Sequence, residues 1–296
     1  MELRFDHQCL RCRGHLRPFG WFFRRSDGSR IKRFRCVSCK KTASRATYDA
    51  CYRQKKRQKN EPLRKLLVSG VSQRRAAKIL RINPKTVTKK FQFLAQRAEL
   101  SNRAYFEDLR SLGGIKIVEF DEMETHEHTK LKPLSIPLVV THPERKILGF
   151  DVAQMPAKGL LAQKSREKYG PREDHREKAL QALLESIKPI LGSSPTVKSD
   201  ESPRYPKIVK EIIPNAIHET YKGRRGAVVG QGELKKIGFD PIFSLNHTAA
   251  MIRANINRLF RRTWCTTKKP ERLKAHLALY VEEHNQVLTE PIRLAA

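Results

Sequence analysis

Four cysteines near the start of the chain have the residue type and spacing of metal ligands. They form two Cys-X-X-Cys pairs, Cys9 with Cys12 and Cys36 with Cys39, separated by 23 residues. Each pair can direct two thiolates to one point, and this spacing is typical of a tetrahedral Zn²⁺ site made of two knuckles. A redox role is the alternative. About 45 residues bury too little surface to fold alone, so we expect a structural zinc ion and a β-hairpin between the pairs.

Two acids stand at the ends of short apolar segments in the second part of the chain. Asp121 follows the run Ile-Lys-Ile-Val-Glu-Phe, and Asp200 follows Thr-Val-Lys-Ser. Both segments are predicted to be strands. If the two strands are neighbours, the paired carboxylates can hold divalent cations for phosphodiester chemistry. Other acids near Asp121 are predicted to be solvated or supporting, because neighbours on a strand point to opposite faces.

The elements around these acids predict an α/β fold. Apolar periodicity predicts strands at residues 115–121, 134–141 and 146–153, and a helix at 173–191. It then predicts a strand at 196–200, a helix at 203–213, a strand at 215–221 and a long basic helix at 246–262. This order favours a mixed sheet flanked by helices.

Two short helices are predicted between the cysteines and the sheet. Ser72 starts the first, and Asn83 followed by Pro84 is a strong start signal for the second. The turn between them makes a helix-turn-helix, for which DNA binding and simple packing are both possible functions. The second helix is predicted to bury Val87 and Phe91 and to present four residues to phosphates or base edges: Lys85, Thr86, Lys89 and Lys90.

The net charge of the chain indicates the class of its binding partner. The chain of 296 residues carries 61 Lys and Arg against 30 Asp and Glu, a net charge of +31. Residues 1–110 account for +22 and residues 111–296 for +9. Self-repulsion of this size favours a polyanionic partner, and nucleic acid is the first candidate. We predict three regions: a zinc ribbon at 1–50, a basic linker and helix-turn-helix at 51–110, and a catalytic domain at 111–296.

A membrane surface is the other polyanion to consider. No stretch approaches the roughly 20 apolar residues of a spanning helix, and the first residues lack the apolar core of a signal peptide. We therefore predict no membrane partner and a cytoplasmic, nucleoid-associated protein.

Together these motifs resemble the DDE-type transposases of bacterial insertion sequences that carry a zinc ribbon and a helix-turn-helix ahead of a ribonuclease H-like domain. The resemblance covers residues 9 to about 285. It is carried by the two cysteine pairs, Phe-Asp-Glu-Met at 120–123, Lys-Ser-Asp at 198–200 with Tyr205, and Arg-Leu-Phe-Arg-Arg-Thr at 258–263. It implies that Asp121 and Asp200 lie side by side and bind Mg²⁺ or Mn²⁺.

The family's third metal ligand, usually Glu, heads the last helix and is followed seven positions later by a basic residue. Taking Arg253 as that basic residue places the third ligand at Asn246. An amide oxygen can bind a hard cation but adds no charge, and Asn also suits a helix N-cap. Glu233 and Asp240 are alternative carboxylates.

The resemblance implies an enzyme that binds the terminal repeats of an insertion sequence, hydrolyses their 3′ phosphodiester bonds and joins the ends to target DNA. Double-stranded DNA is the expected substrate and partner, with no small-molecule substrate, and the protein is expected to act as a dimer or larger assembly. The last helix supplies four candidate DNA contacts: Arg253, Arg258, Arg261 and Arg262. A catalytically inactive relative that regulates through DNA binding is the main alternative. A zinc-ribbon protein of RNA processing is less favoured, because no aromatic platform for single strands is evident in the sequence.

Overall fold

The computed structural model describes residues 5–25, 28–222, 240–260 and 265–288. The chain forms two compact units, Met1–Asn60 and Glu61–Ala296. The three regions predicted from the sequence therefore map onto two units, because the helices after residue 60 share a core with the sheet. No helix in these described ranges is long and apolar enough to span a membrane.

The first unit is a small three-stranded antiparallel sheet. Its strands are β1 (Leu16–Arg24), β2 (Ser29–Cys36) and β3 (Thr42–Ala43), in that order. The predicted hairpin between the cysteine pairs is confirmed, with a register irregularity between Pro18 and Trp21. Its buried hydrophobic residues are few: Cys9, Leu16, Phe34, Cys36 and Tyr48. So small a core needs a further source of stability.

The second unit begins with three helices, α1 (Asn60–Val68), α2 (Gln73–Leu80) and α3 (Pro84–Leu112). The predicted helix starts are confirmed. The Ser72 side chain accepts a hydrogen bond from the backbone N–H of Arg75, and that of Asn83 accepts one from Lys85. Helix α3 runs for 29 residues, well beyond the segment that sequence periodicity emphasised. It leads directly into the sheet that follows.

Within the described residues, the main sheet contains six strands: β4 (Ile115–His126), β5 (Pro133–Thr141), β6 (Ile147–Phe150), β7 (Ala153–Gln154), β8 (Leu191–Asp200) and β9 (Ile217–Tyr221). The principal order is β6-β5-β4-β8-β9, and β7 pairs with β5. Strand β5 is antiparallel to both β4 and β6, whereas β8 is parallel to both β4 and β9. The predicted α/β fold with a mixed sheet is confirmed.

Helices cover both faces of this sheet. The remaining helices are α4 (Leu161–Tyr169), α5 (Arg176–Ile187), α6 (Tyr205–Ile212), α7 (Phe243–Asn255) and α8 (Pro270–Glu283). One core joins α5, α6 and the end of α3 to the sheet residues Val118, Phe120 and Val197. The other joins α1, α2, the start of α3, α7 and α8 to Met123 and alternate residues of β5. The central strand β4 is therefore packed on both faces.

Several predicted boundaries are wrong. Strand β4 continues past Asp121 to His126, and β8 starts at Leu191 rather than at residue 196. The third strand is interrupted and forms β6 and β7. The last predicted helix starts at Phe243 and ends at Asn255, rather than spanning 246–262. Asn246 is consequently not the N-cap, and Arg258 lies in a separate 3₁₀ turn, Asn257–Leu259. Two other predicted DNA contacts, Arg261 and Arg262, lie outside the described residues. Glu233, one of the alternative carboxylate ligands, also lies outside them.

Candidate functional site

The two cysteine pairs come together in the first unit. All four Sγ atoms lie within 4.8 Å of one another. The two knuckles close in the same way, since the backbone N–H of Arg13 donates to the carbonyl of Cys9 and that of Lys40 to the carbonyl of Cys36. Among the described residues, this is the one group of three or more His, Cys, Asp or Glu side chains that converges so closely.

The chemistry of this cluster fits zinc. Sγ of Cys9 is 3.6 Å from that of Cys39, and Sγ of Cys12 is 3.4 Å from that of Cys36. A tetrahedron with Zn–S bonds of about 2.3 Å requires sulfur separations of about 3.8 Å, close to these values. Hydrogen bonding from the backbone N–H of Cys39 lowers the pKa of Cys36 to about 6. Thiolate, the form that binds metal, is therefore favoured there.

Asp121 and Asp200 lie on neighbouring parallel strands, β4 and β8. The register of the two strands pairs Glu119 with Lys198, and each aspartate stands two residues further along its own strand. Since side chains alternate with a period of two, both carboxylates lie on the face shared by Glu119 and Lys198. The structure thus brings the two predicted catalytic acids to the same face of the sheet, with Asp200 at the end of β8 and Asp121 in the middle of β4.

The surroundings of Asp121 hold its carboxylate in place. The hydroxyl of Tyr205, at the start of α6, donates to Oδ1 of Asp121 over 3.1 Å. Burial raises the pKa of Asp121 to about 6, and the negative charge of Asp200 acts in the same direction. A buried carboxylate beside a second one is in the electrostatic state that a bound cation relieves.

Glu122 belongs to a separate pair beside this site. It forms an ion pair with Arg204, and its Oε1 accepts a hydrogen bond from Ser135 over 3.0 Å. The Tyr205 hydroxyl lies 3.4 Å from its other oxygen. The sequence suggested a supporting role for Glu122, and these partners are consistent with that.

Glu119 connects the acidic strand to helix α7. Its side chain is fully buried, and Oε2 accepts a hydrogen bond from the backbone N–H of Leu245 over 2.8 Å. Its Oε1 lies 2.7 Å from Nδ1 of His142. The first turn of α7 has backbone N–H groups without partners in the helix, and a carboxylate is favoured there. Helix α7 is thereby fixed against the face that carries Asp121.

Asn246 follows Leu245 and is exposed. Its amide nitrogen donates to Oδ2 of Asp240 over 2.9 Å, while Oδ1 of Asp240 accepts from the backbone N–H of Ile242. Because the amide nitrogen faces a carboxylate, the amide oxygen points the other way and can serve as a cation ligand. Asp240, considered from the sequence as a substitute ligand, instead orients Asn246.

The predicted DNA-contacting residues differ in exposure. Lys85 and Lys89 are exposed and Thr86 is half-buried. Lys90 is only 3% exposed, so the prediction of a surface lysine there is wrong: it stands one residue before Phe91, on the packed side of α3. Arg258 is also drawn inward, its guanidinium 5.7 Å from the ring centre of Phe91, whereas Arg253 is half-buried in the last turn of α7.

Sequence reasoning missed two residues that the structure places at this site. Glu119 is among the acids near Asp121 that the sequence predicts to be solvated or supporting, and the sequence does not single out His142. The available signal was position, since Glu119 is two residues before Asp121 on the same strand and therefore shares its face.

No protein-family model matches this chain. A search of curated proteins likewise finds no relative. The function of the site is therefore inferred from its own geometry.

Proposed function

We propose that this protein is a DDE-type transposase with a ribonuclease H-like catalytic domain. The observation that carries the proposal is the placement of Asp121 and Asp200 on one face of two adjacent parallel strands, with α7 fixed to that face through Glu119. Paired acids on neighbouring strands are suited to phosphodiester chemistry that depends on metal ions.

The strand order supports the same fold. Counted along the chain without the short β7, the sheet has the order third, second, first, fourth, fifth. The first three strands are antiparallel, and the fourth and fifth are parallel to the first and fourth respectively. The end of the fourth strand lies beside the middle of the first, where Asp121 stands, and this supports the proposed pairing of Asp121 with Asp200.

Asp121, Asp200 and the amide oxygen of Asn246 are the residues that would hold Mg²⁺ or Mn²⁺. A hard cation that keeps several waters needs only a few such oxygens. When bound, the ions stabilise charge on the attacking and leaving oxygens of the phosphodiester.

The protein's own groups contribute positioning and charge. Tyr205 orients Asp121, Asp240 orients Asn246, and Arg204 next to Glu122 is half-exposed beside the acids. The proposed reaction begins with water attacking the phosphorus at the element end, which releases a 3′ hydroxyl. That hydroxyl then attacks a phosphodiester of the target, forming one P–O bond as another breaks, so no covalent enzyme intermediate is needed.

Recognition of the element ends is assigned to the first unit and to α2 and α3. The turn between α2 and α3 exposes Arg81, and the first two turns of α3 expose Lys85 and Lys89. The start of α3 is preorganised by the Asn83 cap. These features support a helix-turn-helix that contacts duplex DNA through phosphates and groove edges. Two ends must be joined in one reaction, so a dimer or larger assembly on DNA is part of the proposal.

A catalytically inactive DNA-binding regulator is the second candidate. It is favoured by one observation, the neutral amide of Asn246 where a third carboxylate is usual. The two candidate functions differ in one activity: the transposase hydrolyses DNA and the regulator only binds it. The test uses duplexes that contain the inverted repeats found beside the coding sequence, incubated with protein and Mg²⁺ or Mn²⁺.

The proposed enzyme nicks at the 3′ ends, and Asp121→Ala abolishes the nick while duplex binding remains. Binding by the wild type without any nick in either metal would favour the regulator.

A further inference from the structure

Strand β1 of the first unit exposes four consecutive or near-consecutive aromatic side chains. The exposed fractions are 40% for Phe19, 50% for Trp21, 38% for Phe22 and 71% for Phe23. Large apolar groups clustered on the surface of a soluble unit mark an interaction site. Such a platform is not predicted from the sequence, because a Trp-Phe-Phe run in a strand is usually part of the core.

Arginine and lysine side chains lie next to the rings of Trp21 and Phe19. Across the hairpin, the guanidinium of Arg30 is 5.2 Å and the ammonium of Lys32 is 6.0 Å from the ring centre of Trp21. On the opposite face, Arg33 and Arg35 lie 5.5 and 5.0 Å from the ring of Phe19. Asp27 is the one acid in the sequence between residues 16 and 36. The surface is therefore complementary to a polyanion that also offers flat apolar groups.

The spacing of the rings of Trp21 and Phe23 favours unpaired over paired nucleic acid. Trp21 and Phe23 pair in regular register with Lys32 and Arg30, so they share one face of the hairpin. Two residues along a strand span about 6.6 Å, about twice the 3.4 Å separation of successive nucleotides in one strand of a duplex. Stacked bases inside a duplex hide their faces, whereas splayed bases can each lie on one ring.

We propose that the face of the β1–β2 hairpin carrying Trp21 and Phe23 binds unpaired DNA, with bases stacked on these two rings and the backbone along Arg30 and Lys32. We name it the stacking face. The choice of DNA over RNA rests on the proposed transposase function. In that setting the ligand is the single-stranded DNA exposed when an element end is cut or distorted. The contact itself requires no catalysis.

The test measures binding of the full zinc-loaded chain to a fluorescent oligodeoxythymidylate of about 12 nucleotides, within the usual site sizes of about 4–16. Magnesium is omitted. Trp21→Ala and Phe23→Ala are each expected to weaken binding roughly 5- to 150-fold, the loss typical of one stacked base. Trp21→Phe keeps a ring and should retain most of the affinity, and no variant should change binding to a duplex.

Phe19→Ala is the matched control, since Phe19 is an exposed ring of the same strand on the other face, next to Arg33 and Arg35. It should leave single-strand affinity unchanged. A second measurement uses intrinsic fluorescence. Trp264 is the other tryptophan of the sequence, so in a Trp264→Phe background the signal comes from Trp21, and it should be quenched on titration with the oligonucleotide.

The proposal that the stacking face binds unpaired DNA would be overturned by unchanged affinity of Trp21→Ala and Phe23→Ala for the oligonucleotide. It would also be overturned if Trp21 fluorescence were not quenched. Tighter binding to an oligouridylate of equal length would overturn its assignment to DNA. Failure of the proposed enzyme gives a different result, namely normal single-strand binding by a wild-type protein that neither cuts nor joins DNA.

Discussion

The carboxylate of Glu119 accepts a hydrogen bond from the backbone N–H of Leu245 over 2.8 Å, across 126 positions of the chain. Glu119 stands two residues before Asp121 on β4, and Leu245 stands one residue before Asn246 on α7. One buried contact therefore fixes the helix of the proposed third ligand to the strand of the first. This contact supports the proposal that Asp121, Asp200 and Asn246, which are distant in sequence, belong to one site.

Removing this contact should destabilise the second unit. Glu119→Ala leaves the N–H of Leu245 without an acceptor and should lower the free energy of unfolding by about 1–3 kcal/mol. Glu119→Gln should cost less, because its amide oxygen can still accept. Urea denaturation measures both, and hydrogen exchange should be faster at Leu245 in Glu119→Ala.

The matched control is Glu124→Ala on the same strand, where the carboxylate pairs with Lys158 and both side chains are about half exposed. An exposed ion pair contributes less than about 1 kcal/mol. Equal losses in Glu119→Ala and Glu124→Ala would contradict the role assigned to Glu119.

The raised pKa of Asp121 predicts a pH-dependent stability in metal-free protein. With a pKa of about 6 in the folded chain against 3.8 unfolded, the folded state binds the proton more tightly. The resulting stabilisation is complete below about pH 4 and is lost as pH rises through 6, amounting to at most about 3 kcal/mol. Asp121→Asn should remove this dependence and be the more stable protein at pH 7.

Thermal unfolding at pH 4 and pH 7 in the absence of divalent ions checks this prediction. The two proteins should differ little at pH 4. A variant that is less stable than wild type at pH 7 would show that the carboxylate is not under electrostatic strain.

The cysteine cluster predicts that folding of the first unit depends on zinc. Zinc binding supplies about 10–16 kcal/mol in small zinc domains, whereas the described residues of this unit include five buried hydrophobic ones. Cys36→Ser should lose zinc and make residues 5–60 sensitive to protease, while the fragment after residue 60 stays resistant.

Cys51→Ser is the control within the same unit, since Cys51 is outside the cluster. Metal content measured by a colorimetric assay should fall only in Cys36→Ser. Retention of one zinc ion per chain by Cys36→Ser would disprove a four-cysteine site.

Three lysines of α3 provide an internal test of duplex binding. Lys85 and Lys89 are exposed and Lys90 is buried. In the proposed helix-turn-helix, Lys85→Ala and Lys89→Ala should each weaken binding to duplex DNA. Each should also reduce the slope of log affinity against log salt by about 0.9 per lost phosphate contact.

Lys90→Ala should alter thermal stability and leave the salt slope unchanged. Binding titrations at several salt concentrations measure the slopes. If all three variants had the wild-type slope, the start of α3 would not contact phosphates.

Local patterns in the sequence predicted some of these features well. The spacing of the cysteines sufficed for the zinc cluster, because both knuckles are formed by residues close in sequence. The Asn83-Pro84 signal likewise located the start of α3. The α/β class followed from apolar runs, whereas the side-by-side placement of Asp121 and Asp200 was implied by the family resemblance.

Other features depend on contacts between distant segments and could not be predicted. Glu119 is buried because Leu245 and His142, far along the chain, supply its partners. Lys90 is buried because α3 packs against other helices of the same unit. The start of α7 at Phe243 is set by Asp240, whose backbone carbonyl accepts from the N–H of Phe243. The exposure of Trp21 reflects a sheet too small to cover both of its faces.

We propose that Asp121 and Asp200 together form a metal-dependent site for joining DNA. Its most direct test is strand transfer with pre-cut duplexes that carry the element's terminal repeats and a free 3′ hydroxyl, mixed with target plasmid and Mg²⁺ or Mn²⁺. We expect joined products with the wild type and none with Asp121→Asn or Asp200→Asn, although all three proteins bind the repeat. Equal yields from the three proteins, or joining that persists without a divalent ion, would contradict the claim.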